Sequence, residues 1–90
     1  MPANDKLPRS ISILDYRIKI RLVSKAELRK QAGMELTDKR WIAGCWGDEE
    51  QTIYIDKNLS KRQRRAVFCH ELLHAIVDVS EWVREDLVLR

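Results

Sequence analysis

The two histidines of this chain stand four residues apart, and a glutamate follows the first directly, in the run His70-Glu71-Leu72-Leu73-His74. On a helix, residues i and i+4 project from one face a single turn apart, so both imidazoles can bind one zinc ion. A glutamate in this position can take a proton from a water that the ion acidifies and pass it to a leaving amine. The pattern predicts zinc-dependent hydrolysis of a peptide bond, with His70 and His74 as metal ligands and Glu71 as general base.

A histidine pair that is hydrogen-bonded in the core without any metal is the alternative interpretation. Residues 66–79 are almost all apolar apart from this cluster. Burying ionisable groups without partners costs roughly several kcal/mol, which a domain of this size can hardly carry. The apolar surroundings therefore favour the metal site.

A catalytic zinc ion usually has three protein ligands and one water, and the chain contains no further histidine. Asp78 shares the His74 face of the same predicted helix. It nevertheless lies about 12 Å from His70 along a straight helix axis, which is too far for a shared ion. Asp78 is therefore expected to support the site or to cap the helix, and the third ligand should come from another element.

The predicted last helix offers three acidic side chains as that ligand, namely Glu81, Glu85 and Asp86. Glu81 falls at the predicted helix start, where capping competes with metal binding. Glu85 lies one turn further in and can face back over the histidine helix. We therefore favour Glu85, with Asp86 as the remaining competitor.

Periodicity and capping signals place these residues on a small α/β (α+β) domain. Residues 11–23 alternate apolar and charged side chains, as a half-buried strand does. Ser24 with Glu27 and Ser60 with Gln63 are capping-box pairs that start helices. The predicted order is β-α-β-β-α-α, an antiparallel sheet packed on the His-Glu-x-x-His helix. In chain order the elements are a flexible arm over 1–10, a strand over 11–23, a helix over 24–33, strands over 41–46 and 51–55, a helix over 60–79 and a helix over 81–90.

Composition narrows the class of protein. With 90 residues, 44% hydrophobic and 34% charged, the chain is one globular domain, assigned to 11–90, rather than a multidomain enzyme. The first residues contain neither a signal-peptide core nor a membrane span, which predicts a cytoplasmic protein with two free thiols, Cys45 and Cys69. The net charge of +3 does not favour nucleic acid as a partner.

Three runs of the sequence resemble the compact phage and bacterial zinc peptidases of the ImmA/IrrE type, within the zincin class. They are Gly44-Cys45-Trp46-Gly47, Thr52-Ile53-Tyr54-Ile55-Asp56 and the segment 65–75, and the resemblance spans residues about 40 to 88. It implies a minimal zincin-like domain in which His70, His74 and Glu85 bind zinc and Glu71 is the general base. Glu85-Asp86-Leu87-Val88 matches the E-x-x-[AV] context of the family's third ligand. The resemblance also implies a protein or peptide substrate.

Two further surfaces bear on function. The strand over 41–46 is the predicted edge to which an extended substrate could add as an extra strand. The basic cluster Lys61-Arg62-Gln63-Arg64-Arg65 is expected to be a solvated face, with docking of a protein or nucleic acid as the alternative. The second functional hypothesis is therefore a non-catalytic regulatory or binding module with the same scaffold. Oligomeric state and substrate identity stay open.

Overall fold

The computed structural model describes residues 6–88, with side chains described as far as residue 86. The elements in chain order are β1 (Ser10–Ile13), β2 (Tyr16–Val23), α1 (Lys25–Gln31), β3 (Gly44–Gly47), β4 (Thr52–Asp56) and α2 (Lys61–Val88). The four strands form one sheet in the order β1-β2-β4-β3. This confirms the predicted α/β (α+β) class, although the element order is β-β-α-β-β-α rather than β-α-β-β-α-α.

The predicted first strand is a hairpin of two strands. β1 and β2 pair antiparallel with Ile13 opposite Tyr16, so that Leu14 and Asp15 alone form the turn. Both turn residues have positive φ, 48° and 72° respectively, which is the backbone of a two-residue type I′ turn. Glycine or asparagine usually marks such a turn. Neither is present, which is why the alternation over residues 11–23 predicts one uninterrupted strand.

The sheet is mixed, whereas the sequence predicts an antiparallel one. β3 and β4 form the expected antiparallel hairpin, with Cys45 opposite Tyr54. β4 then enters the middle of the sheet and pairs parallel to β2, with Ile20 beside Ile53. Parallel neighbours require a long crossover connection, and the segment that contains α1 provides it. All five residues of β4 are buried because the strand is central.

One continuous helix replaces the two helices predicted at the C-terminal end. α2 runs for 28 residues through the expected break at 78–80, so it is about 42 Å long. Val79 stands at the predicted break and is fully buried in the core with Ile18 and Ile55. No glycine or proline occurs in this segment, and burial of Val79 favours continued helix there.

The two helices cover opposite faces of the sheet. The core under α2 contains Ile18, Ile20, Ile53, Ile55 and Val79. On the other face, Leu28 of α1 packs with Val23 and Tyr54, and α1 lies over β3 and β4.

The predicted N-terminal arm is only partly within the described residues, since 1–5 fall outside them. Within the remainder, Leu7 packs against the core and Ser10 begins β1. None of the helices within residues 6–88 combines the length and apolar character that a membrane crossing requires.

Candidate metal centre

The histidine pair projects from the middle of α2 in the predicted register. The ring centroids of His70 and His74 are 4.9 Å apart, and their Nε2 atoms are separated by 3.3 Å. Two nitrogens that bind one tetrahedral zinc ion at 2.0–2.1 Å must lie about 3.3–3.4 Å apart. The pair therefore has the spacing that one zinc ion requires. Both histidines are exposed, so solvent and substrate can reach them. The burial of the histidines expected from the apolar run 66–79 is therefore wrong, because α2 packs on the sheet with one side only and Leu73 and Val77 are exposed as well.

Unlike His70 and His74, Glu71 is buried, with a relative exposure of 8%. It lies where α2 packs against β3, and a Cβ atom on Gly44 would be 3.4 Å from Glu71 Cγ. Burial raises the pKa of the Glu71 carboxyl above its ordinary value, while the positive charge of His70 and His74 opposes the rise. The carboxyl is thus held between helix and strand, beside the histidine pair.

The close approach of β3 to α2 depends on Gly44. A Cβ atom at this position would overlap Val67 Cγ1 and would lie 3.0 Å from the carbonyl oxygen of Tyr54. No larger side chain fits this gap without a shift of strand or helix. Gly44 belongs to a run that resembles the family, but the sequence does not predict this contact, because the contact joins two elements that are distant in sequence.

Asp78 and Trp46 form a second link between α2 and β3. Trp46 Nε1 donates a hydrogen bond of 2.6 Å to Asp78 Oδ2, one helical turn beyond His74. Asp78 is not a helix cap, because α2 continues past it, and its role in supporting the site stays a prediction. The Trp46 ring also packs against Trp82, with centroids 6.5 Å apart.

Open clefts lie on both sides of Glu71. The first has a volume of about 310 Å³ and includes Trp41, Ile42, Val67 and His70 in its lining. The second has a volume of about 360 Å³, and its lining includes Trp46, His74, Val77 and Asp78. An extended chain passing β3 would meet an apolar surface on one side of Glu71 and a carboxylate on the other.

The structure does not bring Glu85 to the histidine pair. Glu85 follows His74 by eleven residues on the same helix, which separates them by about 16 Å along the axis. The physical reason is the absence of the predicted helix break. Glu81 and Asp86 are displaced in the same way, and all three acids are exposed. No cluster of three potential metal ligands forms among residues 6–88. Glu85 as third ligand stays a prediction, and it requires α2 to break after His74.

Cys45 lies near the site, and the structure gives it no role as a nucleophile. Burial raises the pKa of its thiol to about 11, and the negative charges of Glu71 and Glu50 add to the effect. The group is therefore a neutral thiol near neutral pH. Cys69 is exposed on α2. Both cysteines are free, as predicted.

A peptidase family model described as the IrrE N-terminal-like domain matches residues 17–83. The match covers the sheet from β2 onwards and the histidine segment of α2. No curated protein and no solved structure matches the chain.

Proposed function

The chain belongs to the family of IrrE N-terminal-like peptidase domains, and from this premise we propose that it is a zinc-dependent metallopeptidase acting on a protein substrate. The observation that carries the proposal is the 3.3 Å separation of the His70 and His74 Nε2 atoms, with Glu71 fixed beside them. We propose these histidines as zinc ligands and Glu71 as general base. Glu85 is proposed as third ligand in a conformation where the helix after His74 bends back.

Each residue would have a separate task in the reaction. A bound zinc ion would polarise the peptide carbonyl and make a water molecule more acidic. Glu71 would accept the proton from the attacking water and deliver it to the departing amine nitrogen. The contact of Gly44 with α2 would hold Glu71 in position, because the carboxyl has β3 on one side and the helix on the other.

The edge position of β3 supports an extended peptide as substrate. The strand order places β3 at one side of the sheet, where its outer backbone groups can pair with an added strand. The predicted edge, 41–46, overlaps this strand, whose observed bounds are Gly44–Gly47. A peptide added there would pass the clefts on both sides of Glu71.

Zinc analysis and peptide hydrolysis test the proposal together. The purified protein should bind one zinc ion and cleave an unfolded protein substrate. Glu71→Gln should keep the zinc and lose turnover by roughly 100-fold or more, because a general base contributes on that order. His70→Ala should lose the zinc. Glu49→Gln is the matched control, since Glu49 is exposed in the β3–β4 turn. Zinc bound unchanged by His70→Ala would reject the ligand assignment.

A non-catalytic binding module is the second candidate function. One observation favours it, namely that no third ligand lies beside the histidines within residues 6–88. Such a module would use the scaffold to bind a protein or nucleic acid, for example through the basic start of α2. In that case Glu71→Gln would leave the biological readout unchanged, whereas a peptidase would lose it.

A further inference from the structure

A row of cations occupies the face of β2 that points away from α2. It consists of Arg17, Lys19 and Arg21, all exposed, and we refer to it as the cation row. These residues alternate with Ile18 and Ile20, which are buried in the core. Successive members of the row are therefore about 6.7 Å apart along the strand.

The residues directly opposite the cation row on the same face are not acidic, although buried Asp56, the partner of Val23 on β4, lies one position further along this face. Residues directly opposite each other on adjacent strands share a face, where opposite charges would stabilise the sheet. Among residues 6–88, no carboxylate forms an ion pair with a member of the row. The guanidinium of Arg21 instead lies 5.7 Å from the centroid of the Tyr54 ring. The same-face pairs are Ser12 with Arg17, Ser10 and Thr52 with Lys19, and Tyr54 with Arg21.

Much of the β2 surface on this face is open. Within residues 6–88, α1 covers mainly β3 and β4 and reaches β2 at Val23, which packs with Leu28, whereas the three members of the cation row stay exposed. Asp15 lies in the turn at one end of the hairpin, and Glu50 lies over Gly47 on β3. Asp15 and Glu50 thus border the face, while its centre is a line of like charges. Arg21 contacts the Tyr54 ring, and within residues 6–88 no member of the row has a carboxylate as ion-pair partner.

We propose that the cation row binds the phosphate backbone of a double-stranded nucleic acid. Arginine, lysine and serine side chains are the usual phosphate contacts, and Ser12 is exposed beside the row. Regularly spaced cations match a partner whose charges also repeat at fixed intervals. An acidic peptide presents such a repeat only while it is held extended, whereas the repeat of a duplex is fixed before binding.

The same face favours a duplex over a single strand. Single strands are held largely by bases stacked on aromatic rings. The aromatic ring on this face belongs to Tyr54, which is only 3% exposed. Binding should therefore depend on the backbone rather than on sequence. The net charge of +3 is a sum over the whole chain, so it does not reveal the three positive charges that lie together on β2.

Salt-dependent binding to a short fluorescent DNA duplex of mixed sequence tests the proposal. The slope of log K against log[KCl] should be about −2.7 if three phosphates are neutralised, since each contributes roughly −0.9. Arg17→Gln, Lys19→Gln and Arg21→Gln should each reduce the slope by about 0.9, equally for unrelated sequences. All three side chains are exposed, and circular dichroism would check that the variants fold.

Arg84→Gln is the matched control, because it removes the same charge from an exposed position on α2. It should leave the slope unchanged. The proposal is wrong if the wild-type protein does not bind the duplex at low salt, or if Arg84→Gln weakens binding as much as the β2 variants do. It is also wrong if polyglutamate competes as well as unlabelled duplex, or if Arg62→Gln at the start of α2 reduces the slope while the β2 variants do not.

Discussion

Gly44→Ala should destabilise the domain because β3 and α2 leave no room for a methyl group. The added Cβ atom would overlap Val67 Cγ1 and lie 3.0 Å from the Tyr54 carbonyl oxygen. Neither atom moves easily, since valine is stiff at χ1 and the oxygen belongs to the backbone of a central strand. Overpacking of this kind costs about 1–3 kcal/mol. Alanine also restricts the unfolded chain, which offsets about 0.4–1 kcal/mol.

The overlap with Val67 is severe, so the upper part of the overpacking range, about 2–3 kcal/mol, applies, and the net loss in the free energy of unfolding should be about 1–2.6 kcal/mol. For a domain of this size, that lowers Tm by about 4–20 °C. Urea unfolding followed by tryptophan fluorescence would measure it. Adding Val67→Ala removes the clashing methyl groups, so the double variant should be more stable than the sum of the single effects by about 1 kcal/mol.

Gly47→Ala is the matched control on the same strand. Its Cβ atom would lie 2.8 Å from Glu50 Oε2 and 3.2 Å from Tyr54 Cε2. The Glu50 carboxylate is the end of a flexible, exposed side chain and can swing aside, so the cost should stay below about 1 kcal/mol. If Gly44→Ala were as stable as the wild type, or if both glycine variants lost equal stability, the close contact at Gly44 would not be limiting the approach of strand to helix.

Three further results are expected. Trp46→Phe should cost about 1–2 kcal/mol of stability in urea unfolding, because it leaves the half-buried Asp78 carboxylate without its donor; an unchanged midpoint would mean that water replaces the donor fully. Cys69 is exposed, so iodoacetamide should alkylate it faster than Cys45 near neutral pH. Cys45 should react only as the pH approaches its pKa of about 11, because the raised pKa keeps its thiol protonated below that value. Mass spectrometry of the alkylated peptides distinguishes them, and equal labelling would contradict the burial of Cys45. Glu85→Gln should lower zinc affinity by more than about 100-fold, because losing a group that only supports a ligand costs at most about that much. Unchanged affinity in a competition titration would exclude Glu85 as a ligand.

The features that the sequence predicts correctly are local ones. Ser60 and Gln63 form the reciprocal capping box, with bonds of 2.9 and 3.1 Å, because both partners lie within one helical turn. Ser24 caps α1 through the backbone N–H of Glu27. The spacing of His70 and His74 fixes their shared face for the same reason.

The features that the sequence does not predict depend on distant contacts. The parallel pairing of β2 with β4 is decided by which strand occupies the centre of the sheet, and alternation within one strand carries no such information. The continuity of α2 through residue 79 depends on Val79 packing against β-strand isoleucines that are far away in sequence. The helix-stop signals near Asp78 have a smaller effect on stability than the burial of the Val79 side chain, which contributes on the order of 1.5–3 kcal/mol.

The two open surfaces of the sheet can be occupied at the same time. β4 lies between β2 and β3, so the cation row and the β3 edge are about 10 Å apart. α1 stands on the face of the cation row, over β3 and β4, and it separates that face from the edge. The histidine pair, in contrast, belongs to the helix on the opposite face. A duplex held on β2 would therefore leave the β3 edge accessible to a peptide, and neither ligand should compete with the other for binding. Saturating DNA should leave the Kd of a peptide substrate for the Glu71→Gln variant unchanged, and direct competition would show that one of the two surfaces has been assigned to the wrong face.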